Sequence, residues 1–279
     1  MPSPHAAVAD LCDFLGAHDK VAVLTGAGCS TASGIPDYRD DAGRWKHRQP
    51  VQYADFVNNA GTRHRYWAQS LVGWSRIASA RPNAAHVALA RLEAAGRTTC
   101  VITQNVDNLH RLAGNRSVID LHGVLHRIRC LACGDRKARS EFQFRLQRLN
   151  PDWHAPVSEF APDGDARLTM TDFQAFNVPD CDQCGGILKP DVVFFGEPVP
   201  VDRVRQASEF LQQSDALLVV GSSLMVFSGY RFVRMASAAG LPIAIVNRGA
   251  TRADPLANWR VSGDCCSLLA AAVGHFGAC

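Results

Sequence analysis

The sequence has no apolar run of the roughly 18 residues that a membrane span requires; the run Ala216 to Val220 is only strand-sized. It has no basic leader either. Residues 1–16 carry Asp10 and Asp13 and no Lys or Arg, unlike a secretory signal or an Arg-rich transit peptide, so a cytoplasmic location is expected. Strong charge is also missing. The formal net charge is +3, without the concentrated Lys and Arg of a nucleic-acid binder, so neither nucleic acid nor membrane is expected as a partner. Internal repeats and low-complexity stretches are absent, which excludes solenoids and disordered tracts.

What is present is ordinary for a folded enzyme. Hydrophobic residues make up 47% of the 279 and charged residues 20%. That length suits one large domain, or a large one with a small one. Ten cysteines stand out. In a cytoplasmic chain they favour thiols and metal over disulfides. Cys12, Cys29, Cys100, Cys265, Cys266 and Cys279 are scattered, whereas Cys130-Leu-Ala-Cys133 and Cys181-Asp-Gln-Cys184 form two hooks, each followed by glycine. Four thiolates in two such hooks suit a tetrahedral, closed and therefore structural Zn²⁺ site. The spacer is longer than usual, and two separate thiol pairs or a redox pair are the competing readings.

The apolar pattern alternates strands with helices. Strands are expected at Val21–Leu24, Cys100–Thr103, Val118–Leu121, Ala216–Val220 and Pro242–Val246. Helices are expected at Asp10–His18, from Ser30 to Ser33 onward, and at Asn83–Ala95, Arg203–Gln213, Tyr230–Ala239 and Ser267–Val273. This predicts an α/β fold: a Rossmann-type parallel sheet covered by helices, with a smaller zinc-binding domain inserted. The large domain is assigned to 1–39, 75–126 and 188–279. The small one is assigned to 40–74, a helical module rich in aromatics, and 127–187, a zinc module containing the turn-like Ala161-Pro-Asp-Gly-Asp165.

Gly26–Ser30, Gln104–Asp107, His122, Gly221–Ser223 and Asn247 each follow a predicted strand. Ligands of open parallel sheets bind beyond the carboxyl ends of the strands, so these segments are expected to line one crevice. Gly26-Ala-Gly28 offers backbone N–H groups to a pyrophosphate. The third glycine of a dinucleotide fingerprint is missing, since Thr31 stands there, which disfavours a dehydrogenase. Asp37 and Arg39 could pair with each other or meet a phosphate or carboxamide. His122 is the best candidate for a general base, with His110 and His126 as rivals.

Gly26-Ala-Gly-Cys-Ser-Thr-Ala-Ser-Gly-Ile-Pro-Asp-Tyr-Arg39 resembles the sirtuin signature, as do Thr103-Gln-Asn-Val-Asp-Asn-Leu-His110, Leu121-His-Gly123, the two CxxC hooks, Leu188-Lys-Pro-Asp-Val-Val-Phe-Phe-Gly-Glu197 and Gly221-Ser-Ser-Leu224. These segments follow the family's order over nearly the whole chain. Tyr38, Arg65-Tyr-Trp67, Val72-Gly-Trp74, Ala161-Pro-Asp-Gly-Asp165 and the run Ser222 to Tyr230 look like the class II branch, which includes mitochondrial sirtuin-four-type enzymes.

The resemblance implies an NAD-dependent protein-lysine deacylase that releases nicotinamide and 2′-O-acyl-ADP-ribose, with NAD as co-substrate and one structural Zn²⁺. It implies that Gly26, Ala27, Gly28, Ser30 and Thr31 hold the pyrophosphate. Gly221, Ser222, Ser223 and Asn247 would hold the adenosine half, with Arg248 and Cys265 near the adenine. Gln104, Asn105 and Asp107 would meet the nicotinamide side, and Pro36, Asp37, Tyr38 and Arg39 would close over the cofactor. His122 and Asn105 would be catalytic. Val193, Phe194, Phe195, Gly196 and Glu197, with Leu224, Met225 and Val226, would flank an acyl-lysine peptide as neighbouring strands. Cys130, Cys133, Cys181 and Cys184 would hold the zinc.

In relatives that remove acidic acyl groups the acyl pocket carries Tyr-x-x-Arg. Here Tyr66-Trp-Ala-Gln69 aligns with it, so neutral acyl chains are expected to be preferred. Protein ADP-ribosylation from the same NAD site, a zinc-ribbon binding module and a dehydrogenase are the alternative functions.

Overall fold

The computed structural model describes residues 4–46, 50–161, 164–169 and 172–276. Pro162 and Asp163 of the expected turn and Cys279 lie outside them. Helix α1 (Pro4–Ala17) leads into strand β1 (Val21–Thr25). Next come α2 (Tyr53–Asn58), α3 (Ala60–Ser79), α4 (Ala84–Ala94), β2 (Thr98–Thr103), α5 (Leu109–Leu112) and β3 (Val118–Asp120). The middle of the chain forms β4 (Gly123–Cys130), β5 (Arg136–Ala138), α6 (Arg139–Leu149), β6 (Val157–Phe160), β7 (Ala166–Leu168) and β8 (Leu188–Val192). It closes with α7 (Val201–Gln212), β9 (Ala216–Val220), α8 (Phe227–Ala238), β10 (Ile243–Val246), β11 (Trp259–Val261) and α9 (Cys265–Phe276).

Six strands form one parallel sheet in the order β11-β10-β9-β1-β2-β3. The period of two along each strand divides its side chains between two cores. Val21 and Val23 face one way, with Leu11, Phe14, Leu89 and Leu269 of α1, α4 and α9. Ala22 and Leu24 face the other, with Leu211, Phe232 and Val233 of α7 and α8. Both faces are covered, which is why the central strands are apolar throughout rather than alternating.

A third core gathers Phe56, Trp67, Ile128, Phe142, Leu146 and Phe176. It joins α2, α3 and α6 to an antiparallel sheet ordered β5-β4-β8. Arg139 is 1% exposed within it and reaches from α6 to the Ser70 carbonyl of α3, with its guanidinium 4.9 Å above the Trp74 ring. Two expected boundaries fall inside elements that pack here. The division at 74/75 cuts α3, and the division at 126/127 cuts β4.

Other differences are local. No α-helix begins at Ser30: two 3₁₀ turns, Ala27–Cys29 and Thr31–Ser33, stand there, and Gly34 at φ 84° ends the second. The glycines and short polar residues of this stretch favour turns over a propagating helix. The first helix starts at Pro4 rather than Asp10, because Ala7 and Leu11 both join the core beneath the sheet.

Candidate active site and metal site

The carboxyl ends of β1, β2, β9 and β10 open into a cavity of about 470 Å³ shared with the third core. Every residue expected to bind cofactor or peptide lines it. From the first segment come Gly26, Ala27, Gly28, Ser30 and Thr31, then Pro36 to Arg39. Gln104, Asn105, Asp107 and His122 follow, then Val193 to Glu197, Gly221 to Val226, Asn247, Arg248 and Cys265. Ile35, Val106, Leu125 and Ser228, not singled out from the sequence, line it too.

The floor is built from touching backbones. Gly28 N donates to the Gly221 carbonyl at 2.9 Å, and a Cβ on Gly28 would stand 2.9 Å from that oxygen. Gly221 itself sits at φ 59°, where a side chain is strained. Only glycine pairs allow this approach. The Cys265 thiol donates to the Gly28 carbonyl from the far side.

A polar chain runs beside this floor. The Asn105 amide donates to the Gly26 carbonyl and to Ser30 Oγ, both at 3.0 Å. Ser30 Oγ in turn donates to Asp107 Oδ2 at 2.6 Å, and Asp107 Oδ1 accepts from Leu109 N. Burial raises the Asp107 carboxyl, and these hydrogen bonds oppose it. Gln104 Nε2 donates to Ser222 Oγ at 2.8 Å, tying the loop after β2 to the loop after β9.

Asp37 and Arg39 do not pair with each other. Lys46 donates to Asp37 at 2.6 Å, while Arg39 donates to the Gly43 carbonyl and lies 4.1 Å above the Trp45 ring. Both sit at the cavity mouth with Tyr38.

His122 is half-buried on the cavity wall directly before β4. Its Nδ1 bonds the Gln104 backbone carbonyl at 2.9 Å and its Nε2 bonds Ser228 Oγ at 2.7 Å. A carbonyl oxygen only accepts, so Nδ1 carries the proton and Nε2 is the bare, basic nitrogen. Desolvation lowers its pKa to about 4, against the pull of the Gln104 carbonyl and with help from Arg203. The ring is therefore neutral and able to accept a proton at neutral pH. Neither rival lines the cavity. His110 is buried against Thr25 and His86, and His126 packs on Trp74.

The segments expected to flank a peptide as strands are irregular. Val193 N is spent on the His122 carbonyl, the Phe195 carbonyl accepts from Tyr53 N, and Phe194 N donates to the Glu197 carboxylate. Leu224 adopts φ 56°. Glu197 is held by Lys189, whose side chain is 3% exposed. Internal bonds thus use backbone groups that two regular flanking strands would present.

The four hook cysteines converge. Their sulfurs all lie within 4.8 Å of one another, with Cys130 to Cys184 at 3.6 Å and Cys133 to Cys181 at 3.8 Å. Zn–S bonds of about 2.3 Å in a tetrahedron put sulfurs about 3.8 Å apart, so the set fits Zn²⁺. Gly134 and Gly185 turn the chain at positive φ, and Gly134 N and Gly185 N donate to the Cys130 and Cys181 carbonyls. Cys29, His86 and His110 form another cluster. There Asn83 N donates to His86 Nδ1, so that lone pair is already engaged and His86 Nε2 carries the proton, which leaves neither nitrogen free as a ligand in this tautomer.

Residues 26–228 match the model of the Sir2 family. The chain is 58% identical over 258 residues to NAD-dependent protein deacetylase 2 of Bradyrhizobium diazoefficiens, covering 92% of this chain and 94% of the relative. It is 48% identical over 265 residues to the mitochondrial NAD-dependent protein lipoamidase sirtuin-4 of Bos taurus, covering 94% and 84%. A solved Sir2 structure with a p53 peptide and NAD+ matches at TM-score 0.77 and 28% identity, covering 97% and 98%.

Proposed function

The chain belongs to the Sir2 family, and from that premise we propose that it is an NAD-dependent protein deacetylase that works through the residues converging on the cavity. The observation that carries the reading is a neutral histidine, with its basic nitrogen identified, on the wall of the same cavity as the paired glycine loops. Bound NAD supplies the sugar carbon to which the acyl oxygen is transferred as nicotinamide leaves. The backbone N–H groups of Gly26 to Thr31 would hold its pyrophosphate. Ser222, Ser223 and Asn247 would hold the adenosine half, with Arg248 and Cys265 beside the adenine. Asp107, oriented by Ser30, would meet the carboxamide together with Gln104 and Asn105. Pro36 to Arg39 would close the mouth against water. His122 would take a ribose hydroxyl proton at Nε2, and the Gln104 carbonyl would steady the resulting cation. Val193 to Glu197 and Leu224 to Val226 would border the peptide with those backbone groups not used internally.

Cys130, Cys133, Cys181 and Cys184 would hold a structural zinc that takes no part in the chemistry. Residues of the third core would form the small unit around it. The likeness to sirtuin-4 supports placing the chain in the class II branch, and a cytoplasmic location fits a chain whose described residues include no helix long and apolar enough to cross a membrane.

The test is turnover of acetyl-lysine peptide with NAD beside His122→Ala. Wild type should release nicotinamide and O-acetyl-ADP-ribose. The variant should keep most of its NAD affinity and lose product. An ADP-ribosylated protein in place of O-acetyl-ADP-ribose would overturn the reading in favour of transferase chemistry.

A further inference from the structure

We propose that Ser228 is a positioning residue for His122, its hydroxyl holding the imidazole so that the basic nitrogen faces the cavity. The inference rests on the reading of His122 as the general base. It starts from the 2.7 Å contact between Ser228 Oγ and His122 Nε2. Because Nδ1–H is committed to the Gln104 carbonyl, Nε2 of the neutral ring can only accept, and the serine hydroxyl is the donor. A single bond at Nδ1 fixes the tautomer but lets the ring swing about that end. The second bond, at the opposite nitrogen, removes the swing.

The donor is itself rigidly held. Ser228 is the second residue of α8, and Phe232 and Val233 of that helix are fully buried. Its neighbour Gly229 packs so closely on Gln104 that a Cβ there would lie 2.4 Å from Oε1. Gln104 thus braces both ends of the imidazole. Its carbonyl takes Nδ1, and its side chain abuts the turn of helix that presents Ser228. The amino end of α8, with its positive dipole, faces the same ring and disfavours protonation before substrate arrives. A lone pair takes one strong hydrogen bond, so an incoming ribose hydroxyl must replace Ser228 at Nε2. Until then the serine keeps that position aligned and closed to water.

Ser228→Ala and Ser228→Thr, compared with wild type, test this. With ¹⁵N-histidine labelling, the His122 Nε2 resonance is assigned by its loss in His122→Asn. In Ser228→Ala it should move toward the value of an imidazole nitrogen without a donor, and in Ser228→Thr it should return. In the deacetylation assay, Ser228→Ala should lower kcat about tenfold with KM for NAD within about twofold, and threonine should restore most of the loss. An unmoved resonance in the alanine variant, or an unchanged kcat, would overturn the proposal. The two readings fail separately. Absent NAD-dependent deacetylation in wild type would sink the function, while the resonance in the unliganded chain still reports the Ser228 contact.

Discussion

Ser30 gives its hydroxyl proton to Asp107 across 2.6 Å, joining the turn after β1 to the loop after β2 over 77 residues of chain. The serine also accepts from Asn105, so one hydroxyl satisfies an amide and a buried carboxylate together. Ser30→Ala leaves both without that partner. Urea unfolding should show a loss of about 1–3 kcal/mol. Nicotinamide release should fall further than the stability loss explains, because Asp107 is then oriented by the Leu109 N–H alone.

Acid should destabilise the fold earlier than its surface carboxylates require. His86 is fully buried, and burial lowers its pKa to about 4. The unfolded chain titrates near about 6.5. Between those values the unfolded state binds a proton that the folded state refuses, so stability is complete above about 6.5 and declines as pH falls toward about 4. The loss from this residue approaches roughly 3 kcal/mol at the acid end. His110, shifted the same way by burial and by His86, adds to it. Urea midpoints at pH 7.5, 6 and 5 should fall steadily, and His86→Gln should flatten that slope. A midpoint that holds constant from 7.5 to 5 would refute this.

Zinc removal should act at a distance. Chelation, or Cys181→Ala, releases the hooks that close the third core, where Trp153 lies against Phe173 and Phe176. Tryptophan emission should shift to the red and deacetylation should be lost. Helical signal from the parallel-sheet unit should largely persist.

The acyl group should be neutral. Tyr66 reaches the cavity beside Ile35, Val106 and Leu125, but Gln69 does not line it. A succinyl carboxylate among those apolar walls would lack a partner. On a peptide panel, kcat/KM for succinyl-lysine should fall at least about tenfold below that for acetyl-lysine, and comparable values would refute the assignment.

The parallel sheet was legible because β1, β2 and β9 are buried on both faces and so read as unbroken apolar runs; β9 was expected at the residues it occupies, Ala216 to Val220. The strand-end segments were legible for the same reason, since the sheet alone dictates where they meet. The 3₁₀ turns after β1 were not legible, because glycine spacing does not tell a turn from a helix start. Ser228 was hidden differently. It lies 106 residues from His122, and no local periodicity encodes a contact across that separation. The bracing of Arg39 by Trp45 and Gly43 likewise depends on how a loop folds back, which composition leaves open.

The chain passes repeatedly between the parallel-sheet cores and the core that contains the cysteine hooks, and the passages include Pro36 to Arg39, Gln104 to Asp107, His122 and Val193 to Glu197. The segments proposed to carry the chemistry are therefore also the crossings between these cores. A tilt of one core against the other would bend those same residues, so filling the cleft and assembling the groups proposed to react there would become a single mechanical event.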